Sequence, residues 1–202
     1  MTRLLLATRN TKKLAELQRI LDAALGPRRT ELVGLADLPQ YQEVPETGLT
    51  FGENALLKAR EGCKQTGLPT IADDSGLAVD ALNGMPGVFS ARWSGRHGDD
   101  QANLELVLAQ IGDVPDEQRG ASFVCAAALV LPGGKEHLVD GRQSGRLLHA
   151  GRGDGGFGYD PIFVGDGQDR TNAELTPAEK DAVSHRGKAL RALAKVAAKV
   201  LP

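Results

Sequence analysis

The chain has 202 residues, 41% of them hydrophobic and 25% charged, with a formal net charge of -2. This is the make-up of a soluble globular protein, and the near balance of charge argues against a broad nucleic-acid-binding face. A local cluster of Lys and Arg could still hold a small anion. The length suits one domain, or one domain with two lobes, and a single domain over 1–202 is expected. Cys63 and Cys125 are the only cysteines. They are too few for a disulfide framework or a cysteine zinc site, so a reducing cytoplasm is the simplest setting. The first seven residues are too short an apolar run for a signal peptide, and no stretch reaches transmembrane length. No membrane partner is expected.

In chain order, residues 4–7 read as a short buried strand. Asn10 can cap a helix whose Leu14, Leu17, Leu21 and Leu25 recur at helical spacing. Gly26-Pro27 ends it, and 31–35 reads as a second strand. Residues 36–49 form a loop with Pro39 and Pro45. Thr50-Phe51-Gly52-Glu53 matches a capping box, so a helix is predicted over about 51–65. Gly67-Leu68-Pro69 breaks it, and 70–72 enters a strand. Residues 78–82 suit strand or turn. Leu104, Val107, Leu108 and Ile111 mark another amphipathic helix. Residues 122–131 form an apolar strand, and Pro132-Gly133-Gly134 turns it into a strand over about 136–146. Thr176-Pro177-Ala178-Glu179 is a second capping box with Pro at the first helical position. A last helix is predicted from Lys188. Mixed strands and helices with a hairpin point to α/β or α+β around a mixed sheet.

Several motifs can carry chemistry. Asp73-Asp74-Ser75-Gly76 sits between apolar segments. Its acids suit a Mg2+ site, which needs few carboxylates when substrate phosphates complete the shell. The same four residues suit an ordinary turn. Thr8-Arg9-Asn10-Thr11-Lys12-Lys13 lies at a strand-to-helix junction, where backbone N–H groups can meet an anion. It equally suits a capped helix start with solvated lysines. Gly153, Gly155 and Gly158 satisfy Gly-x-Gly-x-x-Gly, but Pro161 disfavours the helix that a dinucleotide fold requires. The loop could deliver Phe157 and Tyr159 to stack on a base and Asp160 to accept hydrogen bonds. It could also be a surface loop with its aromatics in the core. Ser184-His185-Arg186, with Lys180 upstream, offers donors for phosphate or a base carbonyl, or is a solvent-facing helix end. Glu53 is explained by its cap, whereas Glu46 is a second metal ligand or a plain loop acid. His97, His137 and His149 lack ligand spacing, and no Gly-x-Ser-x-Gly elbow is present.

The order of these motifs is more specific than any one of them. It runs Thr8-x-Asn10-x-x-Lys13, Thr50-Phe51-x-Glu53-Asn54-Ala55, Ala72-Asp73-Asp74-Ser75-Gly76-Leu77 and Pro86-Gly87-Val88-Phe89-Ser90-Ala91-Arg92. Gly155-Gly156-Phe157-Gly158-Tyr159-Asp160-Pro161 and Ser184-His185-Arg186 follow. The set resembles the inosine/xanthosine triphosphate pyrophosphatase family over essentially the whole chain. The resemblance implies an elongated, two-lobed α/β fold, with a central mixed sheet flanked by helices and an active-site groove between the lobes. It implies a cytoplasmic homodimer. It also implies Mg2+-dependent hydrolysis of ITP, dITP and XTP to the monophosphate and pyrophosphate, which cleanses the nucleotide pool.

In matching residues, the resemblance makes Asp74 the catalytic proton acceptor and a metal ligand, with Glu46 at a position that holds metal in some members. It places substrate contacts at Thr8, Arg9, Asn10, Thr11, Lys12, Lys13 and Ser75. Further contacts fall at Phe157, Gly158, Tyr159, Asp160, Lys180, His185 and Arg186. Arg9 departs from the small residue common at that position. Arg186 has only donors, so it would reward the 6-carbonyl of hypoxanthine or xanthine over the 6-amino group of adenine. The competing functions are a non-catalytic nucleotide sensor on the same fold and a broader modified-nucleotide phosphohydrolase.

Overall fold

The structure, a computed structural model, describes residues 2–38 and 40–201, so Pro39 of the predicted 36–49 loop lies outside the described residues. The first strand, β1 (Thr2–Leu6), buries Leu4, Leu5 and Leu6. Asn10 then caps α1 (Thr11–Leu25) as expected, its Oδ1 accepting from the Lys13 N–H at 3.3 Å. Leu17 and Leu21 of the predicted stripe are fully buried. Gly26 ends the helix at φ +96, a conformation that an L side chain rarely adopts. The chain returns as β2 (Thr30–Gly34), parallel to β1 with Leu4 opposite Leu32.

The second helix, α2 (Phe51–Thr66), starts at the predicted capping box. Thr50 Oγ1 accepts from the Glu53 N–H at 3.1 Å, and Glu53 Oε2 accepts from the Thr50 N–H at 3.1 Å. Gly67 closes it in the left-handed conformation, donating to the Cys63 carbonyl. The buried face is Asn54, Ala55, Ala59 and Gly62. These residues are small, and that sets how close the helix comes. A Cβ on Gly62 would stand 2.6 Å from Thr70 Cγ2 and 2.9 Å from Leu5 Cδ2.

The strand β3 (Thr70–Val79) runs without a break for 10 residues. The turn reading of Asp73-Asp74-Ser75-Gly76 is therefore corrected: the acids lie within a strand. Gly76 fits because a Cβ there would stand 2.3 Å from Ser90 Oγ and 2.5 Å from the Gly87 carbonyl. Next come α3 (Asp100–Gln110), β4 (Gly120–Val130) and β5 (Glu136–Leu147), with the glycine turn where expected. A short strand, β6 (Phe163–Gly165), pairs antiparallel with β5. Two helices complete the chain, α4 (Pro177–Val183) and α5 (His185–Val200). The last helix starts ahead of the predicted Lys188, because Ser184 Oγ accepts from the Gly187 N–H at 3.0 Å and sets an earlier N-terminus.

The sheet is six-stranded in the order β2-β1-β3-β4-β5-β6. With β1 parallel to β2 and β3, and β5 antiparallel to β6, it is the expected mixed α/β sheet. The chain divides into two compact units. The first holds Met1–Asp74, Ala126–Asp140 and Lys188–Pro202, and the second holds Ser75–Cys125 and Gly141–Gly187. The boundary falls inside β3. An alanine-rich core of Ala55, Ala59, Ala72, Ala126 and Ala128 fills part of the first. The second is built on Leu77, Val79, Val107, Phe123, Tyr159, Ile162 and Phe163. Among the described residues, no helix is long and apolar enough to cross a membrane.

Candidate active site

In the first unit, the acids of β3 meet cations from two helices. Lys13 Nζ donates to both carboxylate oxygens of Asp73, at 3.1 and 2.9 Å. Asp73 is only 7% exposed, so a cation against it offsets a large desolvation cost. Its neighbour Asp74 faces α2. Asn54 Nδ2 donates to Asp74 Oδ2 at 3.0 Å, and Lys58 Nζ stands 3.5 Å from Asp74 Oδ1. The same ammonium donates to Glu46 Oε1 at 2.6 Å. The two sequence-predicted metal residues, Asp74 and Glu46, thus converge on one lysine.

Local sequence explains the convergence. Asn54 and Lys58 are four residues apart and share a face of α2. The Ala and Gly positions beside them let that face approach β3. Asn54 is oriented from behind, its Oδ1 accepting from the Gly48 N–H at 2.8 Å. Burial pushes the Asp74 carboxyl above its ordinary value; Lys58 and Asn54 pull it down, while Glu46 and Asp73 push it further up. Burial acts to lower the Lys58 pKa, but Asp74 and Glu46 more than offset this and hold it above its usual value.

The rest of the 8–13 segment is placed as follows. Thr8 Oγ1 accepts from the Asn10 N–H at 3.2 Å, which tightens the turn. Arg9 Nε donates to Glu43 Oε1 at 2.6 Å, so Arg9 is directed to the 36–49 loop. Thr11 is exposed at the helix start. The side chain of Lys12 lies outside the described part of the structure.

In the second unit, the glycine loop, β3 and the start of α5 carry the other sequence-predicted residues. Arg186 Nη2 donates to Ser75 Oγ at 3.0 Å. Of the two loop aromatics, only Phe157 is presented outward, at 58% exposed. Its ring centroid lies 4.8 Å from Lys180 Nζ and 5.7 Å from Arg186 Cζ, within cation–π range. The expectation that both rings stack on a base is corrected. Tyr159 is 4% exposed, packs in the core, and donates its hydroxyl to the Ser90 carbonyl at 2.8 Å.

Asp160 is 2% exposed and is also turned inward. Its Oδ2 accepts from the Phe157 N–H at 2.8 Å and from the Lys180 ammonium. Gly156, at φ +73, makes room for this, since a Cβ there would stand 2.2 Å from that oxygen. Asp160 thus organises the loop and Lys180 instead of offering its Oδ2 outward. His185 is buried, stacked on Phe123 with ring centroids 4.9 Å apart and 12° between planes. Gly158 donates its N–H to Asp100 Oδ2 at 2.9 Å.

Asn54 and Lys58 were missed as site residues. Their spacing was visible in the sequence, but the closeness of α2 to β3 was not. Among the described residues, no group of three His, Cys, Asp or Glu side chains is arranged to hold a metal ion. The acids nonetheless fit a hard cation that takes its other ligands from a substrate. Burial first, and then the charges of Glu46 and Asp73, raise the Asp74 pKa despite Lys58.

The fold matches that of a HAM1 protein from Coxiella burnetii, with a TM-score of 0.90 and 41% identity over 99% of this chain and 100% of that one. The class is therefore the HAM1-type α/β protein. A family model described as the Ham1 family matches residues 4–196. The chain belongs to the Ham1 family. It is similar to a dITP/XTP pyrophosphatase from Nocardia farcinica, with 66% identity over 96% of this chain and 93% of that one. It is likewise similar to a dITP/XTP pyrophosphatase from Streptomyces coelicolor, with 61% identity over the full length of both.

Proposed function

We propose that this chain hydrolyses the deaminated purine nucleoside triphosphates ITP, dITP and XTP to the monophosphate and pyrophosphate. The observation that carries this reading is the cluster in which Lys58 joins Asp74 and Glu46. Relatives at 66% and 61% identity that bear the name dITP/XTP pyrophosphatase support it.

Splitting a phosphoanhydride needs charge neutralisation and a placed water more than covalent chemistry. Lys13 and Lys58 supply positive charge to phosphate oxygens, with the capped junction at Thr8, Asn10 and Thr11 adding polar donors. Asp74 orients the attacking water and takes its proton, a role that a raised pKa suits. Asp74 and Glu46 would hold Mg2+, which supplies Lewis-acid polarisation of the phosphoryl oxygens. Phe157 offers a face for the purine. Arg186 offers donors to the 6-carbonyl, while Lys180 and His185 complete the polar wall of the second unit. We also propose that the chain works as a single catalytic domain and as a homodimer, as the motif resemblance implies. A reducing cytoplasm suits its free cysteines, Cys63 and Cys125.

Side-by-side kinetics on ITP, dITP, XTP, dUTP, ATP and GTP test the reading. The expected result is kcat/KM for ITP and XTP at least roughly 100-fold above that for ATP. Tight ITP binding without turnover would make the protein a sensor. Equal turnover of dUTP would make it a broader phosphohydrolase.

A further inference from the structure

Asp100 opens α3, yet it does not make the helix cap. Its neighbour Asp99 does that, accepting from the Ala102 N–H at 3.2 Å. The Asp100 carboxylate instead accepts from the Gly158 N–H at 2.9 Å, across 58 residues of sequence. Gly158 has no side chain to anchor and takes φ +61, so its N–H is its handle. The next residue is held by the same stretch of chain, through the Tyr159 hydroxyl on the Ser90 carbonyl at 2.8 Å. The residue before it is Phe157, whose exposed ring lies against Lys180 and Arg186.

We propose that Asp100 is a positioning residue for base recognition, fixing the Phe157 ring through the Gly158 backbone. Gly153, Gly155, Gly156 and Gly158 give the loop more backbone freedom than other residues would. The hydrogen bond to an ionised carboxylate removes much of that freedom before substrate arrives, so the ordering cost is not taken from binding. The effect falls on KM and on discrimination between bases, not on the hydrolytic step. This proposal rests on the reading that the second unit receives the base.

The test uses the full chain and compares Asp100→Ala, Asp100→Asn and Phe157→Ala with the unaltered protein on ITP and ATP. Asp100→Ala is expected to raise KM for ITP about 5–10-fold, with kcat changed less than about twofold, the worth of one partly exposed charge-assisted hydrogen bond. Asp100→Asn keeps an acceptor oxygen and should restore KM to within about threefold. The Gly158 amide, followed by hydrogen exchange, should exchange faster in Asp100→Ala and not in Asp100→Asn. A purely structural role would lower the melting temperature and speed Gly158 exchange while leaving KM unmoved, which would overturn the proposal. If Phe157→Ala raises KM while Asp100→Ala does not, the base reading stands and the role of Asp100 falls. If Phe157→Ala also leaves KM and the ITP/ATP ratio unchanged, the base reading itself falls.

Discussion

Asp74→Asn is expected to lower kcat on ITP by roughly 10²–10⁴-fold, the usual worth of a positioned acid–base group, while substrate still binds. The substitution keeps shape and polarity. An amide oxygen can still accept from Asn54 Nδ2, which lies 3.0 Å away in the native chain. Lys58 retains Glu46 at 2.6 Å, so no cation is stranded. What is lost is the charge and the basic lone pair. In the unaltered protein, burial first, and then Glu46 and Asp73, favour the neutral Asp74 carboxyl. In the proposed role the active form is the ionised one. Activity should therefore rise with pH as Asp74 ionises, and that acid limb should vanish in Asp74→Asn. Steady-state kinetics across pH, with equilibrium binding of ITP, check both parts. Near-normal turnover would remove Asp74 from the chemistry.

Asp160→Ala should be the most damaging change in the second unit. It takes the carboxylate from the Lys180 ammonium and the acceptor from the Phe157 N–H. Asp160 is almost fully buried and the Lys180 side chain is 17% exposed, so the cost should sit near the low end for breaking a buried pair, about 3 kcal/mol. In a chain of this length that lowers the melting temperature by roughly 6–12 °C. KM for ITP should rise as well, because Phe157 and Lys180 lose their common anchor. Asp160→Asn keeps the acceptor for the Phe157 N–H and should recover part of the stability but not the ion pair. Thermal unfolding and ITP kinetics on both variants measure this. Wild-type stability in Asp160→Ala would contradict the keystone role.

Local features of the chain were the most legible. The capping boxes at Thr50 and Thr176 need only four consecutive residues each, and both helices start where those residues direct. The acidic run of β3 could not be resolved locally, because its counter-charges come from afar. Lys13 is 60 residues from Asp73, and Lys58 is 16 from Asp74. Lys58 itself reads as one more helix lysine. Only the small residues Ala55, Ala59 and Gly62 hint that its helix packs tightly, and they do not say against what. Phe157 and Tyr159 differ in fate for a similar reason. They are two residues apart in a loop where no periodicity sorts inside from outside, and a contact with Ser90 decides it. The strand Phe163–Gly165 is too short for any alternation to show.

The most direct test of the central claim, cleavage between the α and β phosphates, is phosphorus NMR of the products formed from ITP with Mg2+ present. IMP and pyrophosphate are expected in equal amounts, with orthophosphate appearing only after an inorganic pyrophosphatase is added. IDP with orthophosphate as the first products would contradict it.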